Sequence, residues 1–480
     1  MKVAIIGGGV IGAGWAARFI LNGCDVNVYD LAPDTSDAVL RVLVNARRSL
    51  PCLYNNELPR EGNLHFINTL EDAVKNVNWV QESVPERLEI KKSVLLDIQN
   101  HAPPHAVIAS STSGFKPSQL QEGAMYPEKI LVCHPFNPVY LLPLVEVVPS
   151  SATSDIVCDR AIKVLKSLGM EPLCLRKEID GHIADRLIEA VWREALWLIH
   201  DDVATTKEVD DAIRFAMGIR YALMGVFEHY RLAGGEKGMR HALKQFGPSL
   251  KWPWTKLMDV PDLTNDFITK ISDQSDSQSK GYTIADLERS RDDTLVGIIR
   301  AIKKTSRGAG ITVNKHERLL KPRRRAAVGL IPTLKRQVPV NWIDYNGHMH
   351  ESNYLEVFSQ ATDHFLELIG FDKEYINKYQ HSYFTVETHL QHLIEIKETE
   401  KISVETQILY GKKKKIHLFH WLKKTDGGVA ATGEHMLIHV CLKTRNSCIP
   451  KPQILSKLAY YLKIQANLKY PEAAGKSVHT

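Results

Sequence analysis

The segment HPFNPVYLLPLVE sets an imidazole, His134, twelve residues ahead of a carboxylate, Glu146. An alcohol gives up hydride to a nicotinamide only if something takes its hydroxyl proton, and histidine is the side chain whose pKa suits that task near neutrality. Glu146 would hold the ring and stabilise the imidazolium. Taken alone, such a pair reads more simply as a loop cap and a solvated strand end. What precedes it in the chain reverses that reading.

From Lys2, KVAIIGGGVIGAGWAARF runs a short apolar strand into Gly7, Gly9 and Gly12 and then an apolar-periodic helix, the strand–turn–helix order that a GxGxxG phosphate loop requires. Gly7 allows the tight turn, Gly9 lets the backbone approach a pyrophosphate, and Gly12 lets the helix pack on its strand. Gly8, Val10 and Ile11 complete the turn and present free N–H groups to phosphate oxygens. A second strand, DVNVYD, ends at Asp30, where a carboxylate can bind both adenosine ribose hydroxyls and repel a 2′-phosphate. Leu31, Ala32 and Pro33 offer no arginine to such a phosphate, so NAD is favoured over NADP. The interleaved glycines, Arg18 and the lack of a small-residue cleavage site argue against a secretory signal.

The 480 residues exceed one ordinary core and predict two or three domains, with 44% hydrophobic and 24% charged residues, an ordinary globular composition. No apolar run approaches the roughly 20 residues that cross a bilayer. Seven scattered cysteines without a CxxC pair argue against a disulfide framework or a zinc site, so no metal and a reducing cytoplasm are expected. The net charge of +6 is mild, and its clusters are local. KPRRR, Lys321 to Arg325, reads as a solvated linker; the four lysines Lys412 to Lys415 read as an exposed bend that could also attract a nucleotide-bearing substrate. Nucleic acid and membrane are not expected as partners.

Three segments must position these residues. Up to about 180, apolar strands alternate with helical stretches, the pattern of an α/β doubly wound Rossmann domain. From 181 to about 315 the period is helical throughout, predicting an all-α substrate and dimerisation domain. There Leu187, Val191, Ala195 and Leu198 form an apolar stripe suited to core or a dimer interface. After a basic linker at 316–331, residues 332–480 read as strand, helix and several alternating strands, an α+β domain. VPVNWIDYNGHM is expected as its first strand, and Asp426-Gly427 as the last hairpin turn. Tyr354, Phe358, Ala361 and Phe365 should line the buried face of its helix.

With these residues in place, the first 315 or so residues resemble the 3-hydroxyacyl-CoA dehydrogenase family. The resemblance implies His134 as proton acceptor, Glu146 as its partner, and Ser113, in SSTSG, as a hydroxyl bonding the reacting oxygen. It also implies Glu86 and Lys91, in ESVPERLEIKK, on the ribose and nicotinamide side of the cofactor. Family members carry GFxxNR at the start of the helical domain, whereas this chain has GHIADR, with Asp185 in place of asparagine. The run MGIRYALMGVFE is closer to the small-hydroxy-acid branch of the family. A quaternary ammonium has no donor hydrogens and is held by carboxylates and aromatic faces, for which Asp185, Tyr140, Trp192 and Trp197 are candidates.

Residues 332 to about 465 resemble hotdog-fold acyl thioesterases, whose DxNxH pattern is matched by Asp344, Asn346 and His348 in DYNGHMHESNYLE. The resemblance implies a thioester carbonyl polarised at the start of the following helix, Asp344 activating water or attacking directly, and Asn346 and His348 orienting it. Relatives often carry a further acid two residues earlier; Trp342 stands there. A small-hydroxy-acid dehydrogenase fused to a hotdog is similar to the arrangement that oxidises carnitine to 3-dehydrocarnitine and hydrolyses betainyl-CoA to glycine betaine. The alternatives are another NAD-dependent 3-hydroxy acid or 3-hydroxyacyl-CoA dehydrogenase with a thioesterase tail, and a crystallin-like structural protein. Both families imply a homodimer.

Overall fold

The computed structural model describes the chain apart from residues 234–235, 237, 247–254, 257–261, 279–280, 321–328 and 476–480. It forms two compact units, one of Met1–Leu50 with Pro59–Leu319, the other of Pro51–Leu58 with Leu320–Thr480.

The first unit is built on an eight-stranded sheet. In chain order its strands are β1 (Lys2–Ile6), β2 (Asp25–Tyr29), β3 (Leu64–Phe66), β4 (Trp79–Glu82), β5 (Val107–Ser110), β6 (Ile130–Pro135), β7 (Leu144–Val148) and β8 (Glu171–Cys174). Their spatial order is β3-β2-β1-β4-β5-β6-β7-β8. Two of these strands escape the sequence pattern, because β3 and β8 are only three and four residues long and have no fully buried position. All neighbours run parallel except β6 and β7, which are antiparallel. Only residues 136–143 join those two, too few for the helical crossover that a parallel return needs. The tight return makes His134 and Glu146 directly opposed register partners. Opposed residues of an antiparallel pair project from the same face of the sheet, within contact distance.

Among the described residues, none between 175 and 330 forms a strand, so the helical segment beginning with Ala184–His200 is as expected. It belongs to the same compact unit as the sheet. The helix Gly308–Leu319 buries His316, whose Nε2 lies 3.0 Å from the Ser167 carbonyl. The segment 316–331, expected as a linker, thus starts inside a packed helix and ends on the first residue of a strand. The KPRRR run falls outside the described residues. No helix of the described residues is long and apolar enough to cross a membrane, and all seven cysteines are free.

The second unit wraps one antiparallel sheet around a helix. The strands β9 (Ile331–Gln337), β10 (His381–His392), β11 (Lys401–Lys412), β12 (Lys415–Lys424) and β13 (Val429–Cys441) lie in the order β10-β13-β12-β11-β9. The helix Glu351–Leu368 buries Tyr354, Phe358, Ala361 and Phe365 against it, the face that the helical period predicts. VPVNWIDYNGHM, expected as a strand, is instead a short 3-10 turn (Val340–Trp342) and a loop closed by an Ile343–Met349 bridge. Pro339 lacks the N–H a ladder needs, and the strand lies just upstream of it. Lys413 and Lys414 form the bend between β11 and β12, and Gly427, at φ +88°, the turn between β12 and β13.

A polar thread runs through this second core. Thr333 bonds Thr406, which bonds His420 Nδ1 at 2.8 Å, while His420 Nε2 lies 3.0 Å from the Thr362 hydroxyl. Burial holds the His420 imidazole well below its ordinary pKa and pulls His435 down to about 4. For His435 the unfolded chain takes up the proton near pH 6.5 and the folded chain only near pH 4, so folding stability falls across that window as pH drops. For His435 the loss is on the order of 3 kcal/mol. Urea unfolding at pH 7 and pH 4.5 should show the lower midpoint at pH 4.5, and His435→Gln should flatten the dependence.

Candidate active sites

Gly7 takes φ +97°, and a Cβ there would meet the Ser83 carbonyl oxygen at 2.5 Å. At Gly12 a Cβ would lie 1.8 Å from the Gly7 oxygen, so only glycine lets the helix Val10–Leu21 start this close to its strand. Gly9 faces open space and caps that helix without any side-chain hydrogen bond. No acidic residue occupies the first turn. The Asp30 carboxylate lies against the same loop, accepting from Gly8 N–H at 2.6 Å and from Ala32 N–H at 2.9 Å. An uncapped helix start beneath open glycine, with a carboxylate at the end of β2, fits a dinucleotide's pyrophosphate and adenosine ribose.

On the same carboxyl edge of the sheet, three strands along at the end of β6, His134 Nδ1 lies 3.0 Å from Glu146 Oε2, and both side chains are buried. The second oxygen of Glu146 accepts from Ile183 N–H and Ala184 N–H, both at 2.9 Å. Glu146 therefore caps the helix Ala184–His200 and braces the imidazole at once. Burial would raise its pKa, but the His134 bond and the two backbone donors outweigh it and hold the carboxyl below its usual range. A carboxylate on Nδ1 fixes the proton there and leaves Nε2 free to accept one.

Asp185 Oδ2 lies 3.6 Å from that second nitrogen. Burial pushes the Asp185 carboxyl above its ordinary value. The departure from the family's asparagine thus stands beside His134 Nε2. Trp192, expected near the same substrate, lies two turns further along the same helical face and is exposed. Tyr140 is a correction: it is 3% exposed, and its hydroxyl donates to Asp292 at 2.6 Å, so its ring is spent on packing. Trp197 is engaged by Lys256, whose ammonium lies 4.2 Å from the indole ring.

The loop after β5 carries Ser113, whose N–H donates to Glu86 Oε1 at 3.1 Å. Thr112 Oγ1 and Gly114 N–H donate to the same oxygen. Lys91 is a second correction: it is fully buried, with its ammonium on Glu82 at 2.9 Å, the Val84 carbonyl at 3.1 Å and Glu86 at 3.2 Å. Its contact with the expected cofactor side runs through Glu86, which it steadies from within. Burial alone would raise the Glu86 pKa, but Thr112, Lys91 and Gly114 pull it down. No hydrogen bond among the described residues joins the Ser113 hydroxyl to His134; the link is indirect. His182, wholly buried at φ +49°, places Nε2 3.3 Å from the Thr112 carbonyl and its ring centroid 5.5 Å from that of His134. In the sequence, His182 is marked only by the histidine of GHIADR, which stands where the family has phenylalanine.

In the second unit Asp344 Oδ1 accepts from Asn346 N–H at 2.8 Å and lies 3.8 Å from His348 Nδ1. Burial would raise the Asp344 pKa, but these neighbours outweigh it and keep the carboxylate ionised. Asn346 is exposed on the tip of this loop. The helix start is less open than expected: His350 Nδ1 accepts from Ser352 N–H at 3.2 Å, and Asn353 N–H is taken by the His350 carbonyl. Trp342, in the position of the missing acid, is buried beneath the Arg336 guanidinium at 4.4 Å.

Comparison with known proteins matches residues 2–179 to the 3-hydroxyacyl-CoA dehydrogenase NAD-binding domain, 181–264 to the C-terminal domain of that family, and 338–458 to the thioesterase-like superfamily. An L-carnitine dehydrogenase/betainyl-CoA thioesterase of Ruegeria pomeroyi is 54% identical over 99% of this chain and 98% of its own length. The chain belongs to this family of fused enzymes. A second member, from Agrobacterium fabrum, is 48% identical over 100% of this chain and 98% of its own. An L-carnitine dehydrogenase of Mesorhizobium japonicum, matched over 64% of this chain and 85% of its own, is 51% identical. Among solved structures, an NAD-dependent 5-formyl-3-hydroxy-2-methylpyridine 4-carboxylic acid 5-dehydrogenase aligns at 26% identity and a TM-score of 0.53, over 63% of this chain and 98% of its own. Membership makes the chain an NAD-dependent enzyme carrying a thioesterase-like domain.

Proposed function

We propose that the first unit oxidises L-carnitine to 3-dehydrocarnitine and that the second hydrolyses betainyl-CoA to glycine betaine and CoA. Residues 1–180 would hold NAD, 181–315 would complete the carnitine site, and 332–480 would act on the thioester. The observation that carries the reading is the line Glu146–His134–Asp185, with carboxylates at 3.0 Å from Nδ1 and 3.6 Å from Nε2. In carnitine a single methylene separates the carbinol carbon from the quaternary ammonium. A carboxylate beside the nitrogen that takes the carbinol proton is therefore beside the substrate's positive charge as well.

Bound NAD supplies the hydride acceptor. His134 Nε2 takes the hydroxyl proton as the carbonyl forms, and Glu146 stabilises the resulting imidazolium. Glu86 and Lys91 keep the Ser113 loop in place for a hydrogen bond to the reacting oxygen. Asp185 meets the ammonium, and Trp192 offers an exposed aromatic face on the same side of the helix. In the second unit Asp344, oriented by Asn346 and His348, delivers water to the thioester carbonyl or attacks it directly; the C–S bond breaks and CoA leaves as the thiol.

Asp185→Asn should weaken carnitine by about 10- to 100-fold in KM, since a close charge pair that the bound substrate shields from water is worth roughly 1.5–3 kcal/mol, while a 3-hydroxy acid without the ammonium is affected far less. Initial rates of NAD reduction with both substrates measure this. Equal losses for the two would remove Asp185 from the ammonium site. We also propose a cytoplasmic homodimer: Leu187 and Val191 stand exposed, and Val191, Ala195 and Leu198 line an apolar groove with Val209, Ile213 and Met217. Sedimentation of wild type and Val191→Asp would test that face.

A further inference from the structure

The second unit gathers a thiol and two imidazoles at one end of its sheet, away from the Asp344 loop in sequence and unused by thioester hydrolysis. His381 opens β10, His439 sits near the end of β13, and Cys448 follows on the short return that pairs back onto that strand. Cys448 N–H donates to the His439 carbonyl at 3.0 Å, and Val440 bridges Ser447, so the return is held by backbone. One ligand atom from each of the three residues lies within 4.8 Å of the others. Cys448 Sγ is 3.3 Å from His439 Nδ1. The two rings meet edge to face with centroids 5.1 Å apart.

Two further observations point to a ligand. His381 Nδ1 is buried and has no hydrogen-bond partner, a costly condition that a metal ion or water would relieve. His439 is fully buried, and its Nε2 lies 3.4 Å from the Tyr375 hydroxyl, which itself accepts from Lys451 N–H at 3.1 Å. A metal-binding histidine characteristically rests its other ring nitrogen on such a polar group, which sets the tautomer and the ring's aim.

We propose that His381, His439 and Cys448 form a binding site for zinc. Bond lengths of about 2.0 Å to nitrogen and 2.3 Å to sulfur imply ligand–ligand edges of roughly 3.5 Å. The His439–Cys448 edge is already near that length, and His381 closes the rest by a side-chain movement. Binding releases the Cys448 thiol proton to solvent. The His439 Nδ1 proton, now directed at the Cys448 carbonyl 3.0 Å away, is relocated to Nε2 and the Tyr375 oxygen. The fourth position is left to water, and the ion would tie the return after β13 to the first residue of β10. The proposal departs from the expectation drawn from cysteine spacing, because the ligands are 58 and 9 residues apart from His439 and show no CxxC-type spacing.

The test uses the full-length chain stripped with a chelator, with Co2+ as a spectroscopic stand-in for zinc. One equivalent of Co2+ should give a thiolate-to-cobalt charge-transfer band that zinc abolishes by displacement. Cys448→Ser should lose the band and at least about 100-fold in zinc affinity, whereas Cys174→Ser, which removes an exposed thiol of the other unit, should keep both. Zinc should raise the unfolding temperature of wild type and not of Cys448→Ser. Should Cys448→Ser fail to fold, His381→Asn carries the same measurement. Absence of the band, or a band that survives Cys448→Ser or His381→Asn, overturns the proposal, and neither result bears on carnitine oxidation.

Discussion

His134→Ala is expected to lower carnitine oxidation by about 10²–10⁴-fold, the usual contribution of a positioned general base, with thioester hydrolysis unchanged. The alanine removes the acceptor for the carbinol proton but leaves Glu146 with its two backbone donors, Ile183 N–H and Ala184 N–H. The fold should therefore survive. Glu146→Ala should look different, because it takes away the brace of His134 and the cap of the helix Ala184–His200 together: activity and thermal stability fall in one step. Parallel assays of NAD reduction and thiol release, with an unfolding curve for each variant, separate the two roles. Loss of hydrolysis in a folded His134→Ala protein would contradict the assignment of the two reactions to separate units.

Asp344→Ala is expected to do the converse, reducing betainyl-CoA hydrolysis by about 10²–10⁴-fold and leaving oxidation at its wild-type rate. The Asp344 loop lies wholly within the second compact unit. Release of CoA thiol, followed with a chromogenic disulfide, reads the effect. A single turnover in ¹⁸O-labelled water distinguishes the two uses of Asp344. Attack by water places the label in the product carboxylate, whereas attack by Asp344 first leaves it in the enzyme's own carboxyl. If Asp344→Ala hydrolyses normally, the base lies elsewhere in the unit, and the loop is a binding element.

The identity of both chemistries was legible in the chain because each is carried by local sequence. A glycine turn between a strand and a helix has one geometry that a pyrophosphate fits, and Gly7, Gly9 and Gly12 adopt it. The alternating strands of the second unit and the helical stripe through Phe358 follow from side-chain period alone. What failed were features that no local pattern encodes. The strands β3 and β8 are too short to show a period, and Pro339 marks an end where the apolar run continues. Tyr140 and Lys91 lay near the site in sequence but are turned into the core by Asp292 and Glu82.

Residue types fixed that a histidine, an acid and a dinucleotide loop are present, since those depend only on which side chains follow which. That His134 faces Glu146, that Glu146 also caps a helix thirty-seven residues on, and that Asp185 stands at His134 Nε2 depend on which way β7 returns. Strand direction and register are set by the length of a connection and by packing across the sheet, and such long-range contacts exist only once the chain has folded.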